Sequence, residues 1–204
     1  MEFAAGPLPS LRQLWSTAEL ARSQRRGADP TAPWREGLSA AAARQYGASP
    51  PPAYAATFVL QWVLQVLAHP AAHVAELSPW ALDSSAASVR FELDPLWWSP
   101  RVVIFEPRAL LREPDVSERW RRAEAAYTAV AVPFARGYPA GVKMSSRQRL
   151  GSVRDMWRIA AAQARGTSLG AVRSGESLGN RREACCFIFV LPGATECAAC
   201  PRLG

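Results

Sequence analysis

Every cysteine of this chain lies in its C-terminal tail: Cys185, Cys186, Cys197 and Cys200. Two adjacent cysteines are followed by ten residues, a cysteine, two residues and a last cysteine. Four thiols gathered this way predict a four-thiolate metal site. The intervening residues agree. Phe187-Ile188-Phe189-Val190-Leu191 reads as a short buried strand. Pro192-Gly193 then supplies the central residues of a type II turn, because Pro fixes φ and Gly tolerates φ > 0. A reversal there predicts a cysteine hairpin that returns Cys197 and Cys200 to Cys185 and Cys186.

Three fillings compete for such a cup. A 2Fe–2S cluster takes four thiolates, two on each iron. A structural zinc also takes four, usually from two Cys-x2-Cys knuckles. Two disulfides, or a thiol redox pair, need an oxidising or redox-active setting. Cys197-Ala-Ala-Cys200 suits zinc and iron–sulfur equally. Cys185-Cys186 does not form a zinc knuckle, since adjacent residues in an extended strand point to opposite faces. An elongated two-iron cluster accepts divergent thiolates more easily than one tetrahedral ion, so spacing favours iron–sulfur over zinc, and zinc over disulfides.

The tail also resembles a known family. Arg181-Arg182-Glu183-Ala184-Cys185-Cys186, Leu191-Pro192-Gly193 and Cys197-Ala198-Ala199-Cys200-Pro201 are similar to the C-terminal signature of the FhuF-type ferric-siderophore reductases. The stretch from Tyr54 to Pro70 and the run from Arg147 to Ala164 resemble the body of that family more loosely. The resemblance implies a 2Fe–2S cluster on the four cysteines. It also implies a ferric siderophore of hydroxamate or carboxylate type as substrate. The chain has no glycine-rich phosphate loop and no dinucleotide fingerprint. A reductase of this kind therefore needs an external electron donor, a ferredoxin or a flavoprotein. Two further readings stay open: a siderophore-handling protein with a structural metal, and a small zinc-stapled interaction or nucleic-acid module.

At 204 residues the expectation is one body, residues 1–180, with a cluster-binding segment over 181–204. The start, Met1-Glu2-Phe3-Ala4-Ala5-Gly6-Pro7, lacks a basic opening and an apolar run, so it does not read as a secretory signal. The most apolar stretch, Ala55 to Ala68, is interrupted by Gln61 and Gln65 and reads as too short to span a bilayer. Both features predict a cytoplasmic protein. The formal charge is +7 and Lys143 is the only lysine. Such a field attracts anions. The arginines are scattered, however, and no nucleic-acid-binding motif is visible, so nucleic acid is not expected as a partner.

The periodicities predict an α+β fold: a mainly helical body, a small antiparallel sheet and the cysteine hairpin. Ser10 caps a helix to Gln24 that includes Trp15, with Gly27 as its stop. A short helix covers Ser39 to Tyr46. Gly47 to Ala53 reads as a stiff linker, and Tyr54 to His69 as a buried helix ended by Pro70. Val89, Phe91 and Leu93 alternate with polar residues as a half-buried strand, joined through Trp97-Trp98 to a partner at Arg101–Phe105. Asp115 and Glu118 form a capping box for a helix to Val130, with Pro133 behind it. Ser146 opens the last long helix, which stops at Gly166. Gly170 to Arg182 reads as a polar approach to the tail.

Beyond the thiols, two sets of arginines are candidates. Arg181 and Arg182 precede the ligands and could raise a cluster's potential or steer a partner. Arg147, Arg154, Arg158 and Arg165, spaced 7, 4 and 7 apart, share one helix face and could meet an acidic donor or chelate. A solvated face is the simpler reading of that row. His69 and His73 have metal spacing but read as ordinary packed histidines, and one of Trp97 and Trp98 is a candidate for a ligand cleft.

Overall fold

A computed structural model describes residues 2–5, 15–84, 89–166, 181–197 and 199–203. Among them are six strands and five α-helices. These are β1 (Glu2–Ala5), β2 (Trp15–Ser16), α1 (Thr17–Arg25), α2 (Ala32–Tyr46), α3 (Pro52–Leu77) and β3 (Trp80–Leu82). β4 (Arg90–Leu93), β5 (Pro100–Phe105), β6 (Leu110–Arg112), α4 (Val116–Gly137) and α5 (Ser146–Ala164) follow. The α+β expectation holds. The main sheet has the order β1-β5-β4-β2 and is mixed, since β1 runs parallel to β5 while the other pairs are antiparallel. β3 and β6 form a separate antiparallel pair.

The hub is α3. It packs on α2, α4 and α5 and touches β3 and β5. Leu60, Val63, Leu64 and Leu67 are fully buried along it. The sequence expectation ends this helix at Pro70, yet it continues to Leu77. Proline inside a helix costs about 3 kcal/mol. Continuation buries Ala71, Ala72 and Ala75, and it presents the Ala75 carbonyl to the buried Arg119, whose Nε donates at 2.8 Å. A charge-assisted hydrogen bond contributes about 1.5–3 kcal/mol, so bond and burial together offset the proline. With 26 residues, α3 is long enough to cross a membrane, which the shorter apolar run did not imply; 83% of its apolar window is buried inside the protein.

Other boundaries move for local reasons. Trp15 and Ser16 pair with Phe91 and Arg90 as a strand. The helix cap is Ser16, whose Oγ accepts from the Glu19 N–H at 3.3 Å. Residues 10–14, and most of the approach after Gly170, lie outside the described residues. α2 begins at Ala32, with Pro33 in its first turn where a missing N–H is harmless. α3 begins at Pro52, inside the expected linker, for the same reason. α4 runs past Pro133 to Gly137, because the carbonyl freed by the proline belongs to exposed Ala129 and faces water. Its end is held by neighbours: Gln24 Nε2 donates to the Phe134 carbonyl, and Arg149 to those of Ala135 and Tyr138. β4 and β5 fall where the alternation placed them. Trp98 turns between them at φ 57°, gives its carbonyl to Trp34 Nε1 and lays its ring on Gly37, where a Cβ would meet it at 2.2 Å.

The expected strand at Phe187–Leu191 does not form. Phe187 takes a left-handed conformation at φ 59°, and Ile188–Val190 wind into a single 3-10 turn. The turn at Pro192-Gly193 does form: Ala194 N–H donates to the Leu191 carbonyl at 3.1 Å, and Gly193 has φ 74°. The tail is thus a set of turns among its described residues. Leu191, 2% exposed, enters the main core.

Candidate metal centre

The site begins on α5. Ser145 caps this helix by accepting from the Gln148 N–H, and Val153, Met156, Trp157 and Ala160 bury its inner face. Gln148, Gly151, Asp155 and Arg158 are three, four and three residues apart, so they share another face. The tail lies on it. Gln148 Nε2 donates to the Cys185 carbonyl at 2.6 Å, and Gln148 Oε1 accepts from the Cys185 N–H at 3.2 Å. Asp155 accepts the next two amides upstream: Glu183 N–H at Oδ1 and Ala184 N–H at Oδ2, both at 2.9 Å.

The Asp155 side chain is fully buried. A buried carboxylate costs several kcal/mol unless it is paired and hydrogen-bonded. Here two amides and the Arg158 guanidinium supply both conditions. Arg154 Nε reaches both Glu183 oxygens at 2.9 Å, and Arg158 also donates to the Arg181 carbonyl at 3.3 Å. The Arg154 hydrogen bonds hold the Glu183 carboxyl below its ordinary range, with Arg158 and Arg147 adding to the effect. Gly151 makes the approach possible, since a Cβ there would meet Glu183 Cβ at 3.0 Å and its carbonyl carbon at 3.3 Å.

The four cysteines lie beside this face, and two of their sulfurs approach each other. Cys186 and Cys200 are buried; Cys185 and Cys197 are half-buried. Cys186 Sγ lies 4.0 Å from Cys197 Sγ. The left-handed bend at Phe187 turns the chain just after the cysteine pair, and Phe187 N–H donates to Cys185 Sγ at 3.4 Å. Burial pushes the Cys185 thiol up, and the nearby Cys200 and Cys197 push it the same way. The contact with Cys197 holds the Cys186 thiol below its ordinary value, aided by Arg182, while the same contact pushes Cys197 up. Tyr54, at the start of α3, borders the group; burial, Tyr46 and Cys186 together push its hydroxyl up to about 12.

One pair of these donors, Cys186 and Cys197, fits the group that the spacing implies. Two thiolates on one tetrahedral metal at about 2.3 Å lie roughly 3.8 Å apart, close to the Cys186–Cys197 separation. Four thiolates are the ligand complement of a 2Fe–2S cluster. Among the described residues, which include all four cysteines, no three His, Cys, Asp or Glu side chains converge closely enough to hold a metal ion.

Residues 182–202 match the family model described as the FhuF 2Fe-2S C-terminal domain. The tail is similar to that domain. All four cysteines fall inside the match, and such a domain implies a 2Fe–2S cofactor. No curated protein and no solved structure matches the chain.

Beside the FhuF-like tail, the remaining candidates divide. Arg182 is largely buried: its N–H donates to the Ala199 carbonyl at 2.9 Å, its Nε lies 4.0 Å from Asp155, and its charge acts on Cys186 and Cys197. Arg181 contributes its carbonyl to Arg158. In the arginine row, the acidic groups that Arg154 and Arg158 meet are the protein's own Glu183 and Asp155. Arg147 is exposed and acts on Glu183. Arg165 turns away and covers the Trp120 ring at 4.1 Å. His69 is buried and pushed down to about 4 by burial and then by His73. Trp98 is committed to Gly37 and Trp34, while Trp97 is half-exposed.

Sequence reasoning missed Gln148, Gly151 and Asp155. The available signals were a glycine inside a helix, which marks close approach, and an aspartate flanked by the apolar Val153, Met156 and Trp157. It also missed a groove of about 420 Å³ between α4 and α5, lined by Tyr127, Leu150, Val153, Trp157, Arg154 and Glu183.

Proposed function

We propose that this chain is a cytoplasmic ferric-siderophore reductase, with Cys185, Cys186, Cys197 and Cys200 as the ligands of its 2Fe–2S cluster. The observation that supports this reading is that all four cysteines fall within the matched segment, 182–202, which α5 holds through Gln148 and Asp155 and in which Cys186 Sγ approaches Cys197 Sγ at 4.0 Å. When bound, the cluster supplies one electron to the chelated ferric ion, giving the ferrous ion and an oxidised protein that a ferredoxin or flavoprotein re-reduces. Hydroxamate and carboxylate oxygens are hard ligands and hold ferrous iron far less tightly, so the metal leaves.

The chain's own residues supply placement and charge. Ala184 and Leu191 bury the inner side of the tail. Arg182 keeps a cation beside the thiols, which favours the state carrying the added electron. The groove between α4 and α5 would seat the chelate or the donor against Glu183, two positions ahead of Cys185. No acid or base is required, because no proton moves in the one-electron step.

The test is anaerobic mixing of the dithionite-reduced, desalted protein with a ferric trihydroxamate and, separately, ferric citrate. The visible absorbance should recover while a ferrous-specific chelator traps one ferrous ion per electron lost. A reduced protein that stays bleached with both chelates overturns the reductase reading and leaves a siderophore-handling protein with a structural metal. Colourless protein that binds zinc through four sulfurs favours the zinc-stapled module.

A further inference from the structure

We propose that Gln148, Gly151 and Asp155 form a seat on α5 that positions Cys185 and Cys186 and, through the Cys185 backbone, sets the reduction potential of the centre. The potential half rests on the cluster reading above; the seating half does not.

Three observations meet in this seat. The first is hydrogen-bond supply. Ala184 is fully buried, and buried backbone amides require partners. The described tail residues form no strand, so no neighbouring strand offers any. α5 substitutes for one. The Gln148 carboxamide presents a donor and an acceptor to a single residue, Cys185, as a paired strand residue would. Asp155 then takes the two preceding amides. Three consecutive residues, Glu183, Ala184 and Cys185, are thereby fixed by side chains from one helix.

The second observation is space. Gly151 stands between those two side chains, and the 3.0 Å and 3.3 Å approaches of a hypothetical Cβ to Glu183 leave room for hydrogen only. Glycine in a helix interior costs about 1 kcal/mol relative to alanine, and close docking of the tail is the compensating gain. The third is the link to sulfur. With the Cys185 backbone fixed, the Phe187 N–H points at Cys185 Sγ at 3.4 Å. Hydrogen bonds to cluster sulfurs raise the potential, so a loosened seat lowers it. Gln148, Gly151 and Asp155 touch no sulfur themselves; they are positioning residues.

The experiment uses full-length chain carrying Gln148→Ala, Gln148→Glu, Gly151→Ala or Asp155→Asn, with Gln163→Ala as a control on an exposed position of the same helix. In the metal-free, reduced protein the readout is the alkylation rate of Cys186, followed by peptide mass analysis. The seat predicts a rise of about ten-fold or more for Gln148→Ala and Asp155→Asn, and none for Gln163→Ala. In the reconstituted protein it predicts a lower midpoint potential for Gln148→Glu. It also predicts a loss of metal affinity of about 10–100-fold for Gly151→Ala, the usual effect of removing a group that orients a ligand. If Asp155→Asn fails to fold, the half-exposed Gln148 carries the test alone. Wild-type alkylation rates in the Gln148 variants, or a wild-type potential in Gln148→Glu, overturn the proposal. Should wild-type protein take up no cluster, the reductase reading falls, while the alkylation rates still decide the seat.

Discussion

Cys185 and Cys186 reach the site on backbone that α5 grips from Gln148 and Asp155, whereas Cys197 and Cys200 reach it through turns of their own. In the second arm, Cys200 N–H donates to the Cys197 carbonyl at 2.8 Å and Leu203 N–H to the Cys200 carbonyl at 3.2 Å. Its tie to the first arm is the bond from Arg182 N–H to the Ala199 carbonyl, with Arg202 lying over the Phe189 ring at 4.1 Å. One arm is pre-organised by the folded body. The other is held by local geometry. The lesson is that a matched segment can depend on residues outside it: Gln148, Gly151 and Asp155 all precede residue 182.

The contrast can be broken most decisively at the thiols. Cys186→Ser should abolish or strongly reduce iron binding while leaving the far-ultraviolet circular dichroism of the helices in place, because the body has its own core around α3. An iron content and absorption spectrum equal to wild type would remove Cys186 from the ligand set. Next in size, Asp155→Ala leaves the buried Ala184 amide and the part-buried Glu183 amide without their acceptor. Leaving a buried donor unsatisfied costs about 1–3 kcal/mol, and denaturant unfolding should show a loss of that order. The corresponding loss from alanine at exposed Arg202 in the second arm should be about 1 kcal/mol or less.

The charges give smaller effects. Arg181→Ala combined with Arg182→Ala should lower the midpoint potential by up to about 59 mV, one tenfold step for a single electron. An unchanged redox titration would exclude an electrostatic role for either arginine. The smallest effect concerns Glu183. Its folded pKa is lowered, first by the Arg154 hydrogen bonds, from an ordinary value of 4.5. Its contribution to docking is therefore fully present above that ordinary value and is lost as pH falls through the lower folded one. The Arg154 Nε–H resonance should stay constant at neutral pH and shift only below about pH 4.5. A shift centred above that value would mean that Arg154 does not hold the carboxylate.

What was legible in the sequence was local. The Pro192-Gly193 turn, the caps at Asp115 and near Ser146 and the β4–β5 alternation each depend on residues a few positions apart, and each recurs in the fold. The failures have a common origin in packing. Pro70 and Pro133 read as stops because their cost is local, while the compensating partners, Arg119, Gln24 and Arg149, come from elsewhere in the chain. Phe187–Leu191 read as a strand from its apolar run, yet of these residues only Leu191 is buried in the core, with Phe187 and Ile188 packed against it from a wound segment. Gln148 and Asp155 looked like ordinary polar helix positions. Their roles exist only once the tail returns to α5 from 37 and 29 residues away.

The central claim is that the tail, seated on α5, holds one two-iron centre through its four sulfurs. Low-temperature electron paramagnetic resonance of anaerobically reconstituted, dithionite-reduced wild-type protein addresses it most directly, read beside metal analysis. The account predicts about two irons per chain and a single slow-relaxing signal typical of a thiolate-ligated two-iron cluster. A silent spectrum with one zinc per chain, or with no bound metal, would contradict it.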